Sequence, residues 1–215
     1  MTFVFLYITL FLLLFNDKVW EIVLPAEKGS VIKMAKKSSF ITKDIVITAL
    51  AVTLITICSW ISIPTIVPFT MQTFAIFTVI GLLGKRRAIT SILVYIALGI
   101  VGVPVFAGFS SGIGRLLGST GGYIIGFVFS AFITSLIIER FGKKIHVMII
   151  AMALGLIVCY IFGTAWFIYV YTNTNEPIGI IATLSLCVFP FVIPDALKIA
   201  LSILTIKRVG KYINV

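Results

Sequence analysis

From His146 to Tyr171 the chain contains no Asp, Glu, Lys or Arg. About 20 predominantly apolar residues suffice to carry a helix across the hydrocarbon core of a bilayer, so this run alone is long enough to span one. It is not isolated. Of the 215 residues, 60% are hydrophobic and only 11% charged, and the mean hydropathy is +1.21. A typical soluble domain is roughly 45–50% apolar and about 25% charged. No water-soluble globule of this size hides so much apolar surface, and a disordered chain would be far more polar. The apolar runs are continuous and do not alternate residue by residue, which excludes the strands of an outer-membrane barrel. The expected class is an all-α membrane protein that crosses the bilayer several times.

Six spans are expected. The first covers about Asp44–Ile63 and is stopped by Pro64 and Pro68. The second, about Met71–Gly84, ends at Lys85-Arg86-Arg87, and the third runs from about Ala88 to Val103. The fourth is about Tyr123–Ile138, the fifth about His146–Tyr171, and the sixth about Ile180–Ile206. Pro190 and Pro194 interrupt the last, which reads as a half-helix, a break, and a helix from Asp195. Residues 3–15 are apolar but short for a crossing, and Met1-Thr2 offers no basic region for a signal peptide. Met34 followed by Ala-Lys-Lys looks like a natural start. Residues 1–33 are therefore expected to be an extension, with an interfacial helix as the rival reading, and 34–215 the six-helix membrane domain.

The net charge of +10 tests this map. Lys33, Lys36, Lys37 and Lys43 precede the first span, and Lys85, Arg86 and Arg87 part the second from the third. Arg140, Lys143 and Lys144 part the fourth from the fifth, and Lys207, Arg208 and Lys211 follow the sixth. Thirteen of seventeen basic residues thus fall on one side of an alternating six-span chain. Cytoplasmic loops collect Lys and Arg, so both termini are expected inside. The basic balance answers to the inner leaflet and not to nucleic acid.

Outside the leader, the cytoplasmic loops and the polar turn after the fifth span, three charges remain: Arg115, Asp195 and Lys198. Ionisable groups within a span are costly and commonly mark a substrate path or an internal pair. Asp195 and Lys198, three residues apart, share one face of a proline-broken helix near the outer side. Either they line a cavity, as broken helices at membrane depth do, or they only neutralise each other. Arg115 sits in a segment with six glycines between Gly108 and Gly122. Such a segment lets backbone approach a ligand closely, and the guanidinium would hold an anionic group. Without a ligand it is a surface or re-entrant loop. It lacks the GxxxxGK[ST] spacing of a nucleotide-phosphate loop. Gln72 and the polar groups of residues 63–72, together with Phe106 after Pro104, fall on the same outer side. A small-molecule site open to the exterior accounts for all of them.

Other chemistry finds no footing in the residues. Cys58, Cys159 and Cys187 lie singly in apolar runs and read as core residues. The lone His146, beside Lys143 and Lys144, reads as interfacial. No His, Cys and carboxylate set has metal-ligand spacing, and no Ser/His/Asp arrangement or ATP motif is present. The chain reads as neither an enzyme nor a metalloprotein, and no cofactor is expected.

The same segments carry a family resemblance. P-x-x-V-P-F-T-M-Q-T (64–73), Y-I-A-L-G-I-V-G-V-P-V-F-A-G-F (95–109), G-R-L-L-G-S-T-G-G-Y-I-I-G-F (114–127) and F-V-I-P-D-A-L-K (191–198) together resemble the BioY family. BioY proteins are the biotin-specific substrate-binding (S) components of energy-coupling factor (ECF) transporters. The likeness covers about residues 38–212. Ser119 stands where the family usually has Pro in G-P-T-G-G-Y, a departure that bears on loop rigidity.

The resemblance implies a six-helix S component in a cell membrane, by family a bacterial one. It would bind biotin from outside and dock on a transmembrane coupling subunit with two ATPases. Asp195 and Lys198 would meet the ureido ring, as acceptor and donor. Phe106 and Tyr123 would wall the bicycle, Gly122 would permit close approach, and the carboxylate would either meet Arg115 or stay near water. Docking would use Ala49 and Thr53 on the first helix, the family's usual second Ala being Thr here. An S component for another small vitamin, or a membrane scaffold in which Asp195 and Lys198 merely pair, are the alternatives.

Overall fold

The computed structural model describes residues 31–65, 67–174 and 179–212. Helix α1 is Val31–Trp60, followed by a two-residue hairpin of β1 (Ser62–Ile63) and β2 (Phe69–Thr70). The strands pair antiparallel, with Ser62 opposite Thr70 and Ile63 opposite Phe69. Then come α2 (Gln72–Val101), a 3-10 turn (Ala107–Phe109), α3 (Ile113–Leu117) and α4 (Gly121–Phe141). Helices α5 (Ile145–Thr174), α6 (Ile180–Cys187) and α7 (Phe189–Val209) complete the order. Residues 1–30, and with them most of the expected extension 1–33, lie outside the described part.

Helix α2 holds two of the expected spans. Gln72 and Tyr95 would stand about 35 Å apart on a straight helix at 1.5 Å per residue. Instead the Gln72 amide nitrogen lies 3.0 Å from the Tyr95 hydroxyl. The chain folds back at Gly84, whose φ of 75° and ψ of 178° are not helical. A side chain would be strained there, and glycine is not. The first arm is buried at every position from Gln72 to Leu83, which is where a helix apolar all round belongs.

The four other crossings are long and apolar enough by themselves: Thr42–Trp60, Gly121–Phe141, Ile145–Asn173 and the pair α6–α7 over Ile180–Val209. With the two arms of α2 they make the six-helix bundle expected from the sequence. Helices α4 and α5 pack most closely. A Cβ on Gly155 of α5 would collide with the Thr134 hydroxyl of α4, so only glycine permits this approach, as small residues do in membrane helix pairs. On the other flank the Ser202 hydroxyl of α7 bonds to the Phe74 carbonyl of α2 at 3.0 Å.

The break in the last span comes earlier than expected. It falls at Val188, with φ −126° and ψ −58°, and Pro190 occupies the first turn of α7. There a missing N–H costs nothing. Pro194 lies inside the helix, so Asp195 belongs to its second turn and does not begin it. Helix α1 likewise stops at Trp60 and not at Ile63, because β1 takes over the backbone bonding.

Ion pairs identify the basic end. Arg87 Nε lies 2.8 Å from Asp44 Oδ1, and Lys85 Nζ 3.8 Å from Glu139 Oε2. They tie the turn of α2 to α1 and α4. Being partly exposed they contribute less than about 1 kcal/mol each, but they gather the charged turns at one end. The hairpin, the 3-10 turn and α3 close the other.

Candidate ligand-binding site

The outer cap is pinned before it can form a site. The Val105 carbonyl accepts hydrogen bonds from Ser59 Oγ at 2.5 Å and from the Tyr95 hydroxyl at 3.1 Å. The Trp60 indole donates to the Pro104 carbonyl at 2.9 Å. Three donors from α1 and α2 thus fix residues 104 and 105, and Phe106 follows, 1% exposed. Its ring packs edge-on to Tyr95 at 5.6 Å and directly on Gly99.

Beneath the cap, α7 supplies the two charges. Lys198 Nζ lies 2.7 Å from Asp195 Oδ1, with both side chains 5% exposed. The Tyr160 hydroxyl of α5 donates to Asp195 Oδ2 at 2.5 Å. Lys198 Nζ also lies 4.0 Å from the centre of the Phe69 ring, a cation–π contact worth most where water is excluded. Each carboxylate oxygen therefore has one donor, while the ammonium, with three N–H groups, has donors to spare.

These groups line one cavity. The empty space among its walls, including the open solvent at its mouth, is about 700 Å³. Asp195, Lys198, Tyr123, Arg115, Phe106 and Gln72 all line it, so six of the seven expected binding residues meet there. Gly122 does not. A Cβ at Gly122 would run into the Trp166 side chain, so its smallness seats α5 on α4. Tyr123 is held from behind, its hydroxyl 3.2 Å from Thr164 Oγ1. Gln72 is oriented by a one-way chain. The Val105 carbonyl only accepts, so the Tyr95 hydroxyl donates to it and accepts from Gln72 Nε2. The Gln72 carbonyl oxygen has no partner among the described residues and is left as an acceptor.

Arg115 is half-buried at the wall and has no side-chain partner among the described residues. Ala49 and Thr53 lie elsewhere, exposed on α1, with the Thr53 hydroxyl bonded to the Ala49 carbonyl at 2.8 Å. His146 is exposed at the start of α5. Cys159 and Cys187, read as plain core residues, form part of the cavity wall. Tyr160, Tyr95 and Phe69 were not foreseen as site residues. A polar-tipped Tyr160 in the most apolar span was the one available signal.

Known proteins are similar to this chain in sequence and in fold. The family model described as BioY family matches residues 30–214. A protein of Pyrococcus horikoshii named "Probable biotin transporter BioY" is 36% identical over 167 residues, covering 77% of this chain and 95% of that one. "Biotin transporter BioY2" of Lactococcus lactis subsp. cremoris is 32% identical over 151 residues, covering 70% and 80%. Among solved structures, the S-component for biotin from an ECF-type ABC transporter superposes with a TM-score of 0.69 at 24% identity. That superposition covers 86% of this chain and 95% of the other and shows the same fold. With a family model spanning nearly the whole chain, this protein belongs to the BioY family.

Proposed function

We propose that this chain is the biotin-binding subunit of a vitamin uptake transporter, capturing biotin from the outside of the cell membrane. The carrying observation is the Asp195–Lys198 pair, 2.7 Å apart and 5% exposed, on the wall of a cavity. A ureido ring presents N–H donors beside a carbonyl acceptor, and a carboxylate next to an ammonium is its complement. Charge-assisted hydrogen bonds of this kind are roughly twice as strong as neutral ones. Phe106 and Tyr123 offer apolar faces for the fused rings. Arg115, a cation without a partner among the described residues, suits the carboxylate at the end of the valerate chain.

The subunit binds and hands over; it is not an enzyme. Energy is supplied by a separate module, a transmembrane coupling subunit with two ATPases. The exposed Ala49 and Thr53 supply a close-packing surface for that subunit on α1. Residues 34–215 are sufficient for the binding function. The test is direct: protein purified without added ligand is denatured, and the released small molecules are identified by mass spectrometry. Biotin in near-stoichiometric amount supports the reading. A different vitamin, or none together with no heat on biotin titration, overturns it.

A further inference from the structure

We infer that the outer cap is itself embedded in the outer leaflet, so that the cavity opens among lipid headgroups and not into bulk water. Helix α3 is inside out for a water-facing segment. Ile113 and Leu117, one turn apart on one face, are 59% and 60% exposed. Leu116 is buried, and the charged Arg115 turns to the cavity. A short helix against water shows its charge and hides its leucines. The opposite arrangement fits an apolar surrounding.

The rest of the cap agrees. Phe109 is 64% exposed, and at φ 56° it is the only described non-glycine residue with positive φ. The backbone accepts an unfavourable conformation there, and the ring stacks on Trp60 at 4.9 Å. Trp60 has its indole N–H satisfied by Pro104 and is itself 36% exposed, as aromatic residues at membrane interfaces are. Residues 61–71 and 102–122 hold a single charge, Arg115, which lines the cavity. Before the buried Val105 and Phe106, the end of α2 and the residues after it are again apolar and exposed, Ile100 at 42%, Val101 at 81% and Val103 at 42%. Its occupant is accordingly the headgroup–acyl boundary of the same bilayer, at the depth where interfacial helices lie. This holds whatever ligand the cavity takes.

Spin labels test it on the full chain in phosphatidylcholine vesicles. I113C, L117C and S111C each add one accessible thiol, while the native Cys58, Cys159 and Cys187 are buried, so the labelled parent is the blank. Collision of each label with oxygen, which concentrates in lipid, is compared with collision with a water-soluble nickel complex. Oxygen access exceeding nickel access at 113 and 117, and the reverse at 111, supports the inference. Nickel access exceeding oxygen access at 113 and 117 places the cap in water and overturns it. Poor access to both reagents there means that protein covers the face, either a second copy or residues 1–30, and also overturns it. If either apolar variant unfolds, F109C at the exposed Phe109 takes its place under the same criteria.

Discussion

Asp195 and Lys198 stand one helical turn apart with 2.7 Å between Oδ1 and Nζ, buried inside a chain that lives in lipid. Leaving one member of a buried pair without the other costs about 3–5 kcal/mol. The pair is not closed on itself, because Tyr160 takes the second carboxylate oxygen and the Phe69 ring takes a face of the ammonium. A purely structural pair has no need to line a cavity.

Tyr160→Phe removes the donor to Asp195 Oδ2 and leaves a buried oxygen unsatisfied. The ligand-free protein is expected to lose about 1–3 kcal/mol. On the proposed reading, ureido N–H groups would supply donors to the same carboxylate, so biotin is expected to restore part of the loss. Thermal unfolding in detergent should show a larger biotin-induced rise in Tm for the variant than for the parent. An equal loss with and without biotin would assign Tyr160 to packing alone.

Gly155→Val drives a branched side chain into Thr134 and Ser130. Overpacking of this kind costs about 1–3 kcal/mol, and it falls on the tightest helix pair of the bundle. A lowered Tm with unchanged biotin affinity in the surviving folded protein is the expected outcome, measured by unfolding and titration together.

Cysteines placed at Arg86 and Lys143 should react only with reagents admitted to the cytoplasmic side, and one at Ser111 should be reachable from outside. Labelling of intact cells and of opened vesicles makes the comparison. Reversal at any one position would break the six-span order.

A chain beginning at Met34 is expected to insert and bind biotin like the full chain, since the described residues that line the cavity all lie between Val67 and Lys198. Loss of binding at equal membrane expression would make the leader part of the fold.

The membrane class and the order of spans were legible because charge and hydropathy vary along the chain on the scale of a helix. Thirteen basic residues at one end left Arg115, Asp195 and Lys198 conspicuous, and all three line the cavity. What the sequence concealed depends on contacts between distant elements. Tyr160 reaches Asp195 across 35 residues, and Phe69 meets Lys198 only after the hairpin folds over α7. Gly122 depends on such a contact too: its motif marks a place for close approach, and the side chain it makes room for is that of Trp166. The position of the break in the last span turned on how much proline a first helical turn tolerates, which residue counting does not reveal.

The most direct measurement is biotin titration of four purified proteins, the parent, Asp195→Asn, Lys198→Met and their double variant, with thermal stability recorded for each. On the proposed reading, Asp195→Asn would set an amide donor against a ureido N–H, a mismatch of about 1–3 kcal/mol, or roughly five- to over a hundredfold weaker binding. Lys198→Met removes the donor to the carbonyl and keeps much of the stem's packing. The account predicts a folded double variant, its stability restored toward that of the parent, with biotin binding abolished. A double variant that folds and binds biotin like the parent would show that the two charges serve only each other, and would contradict it.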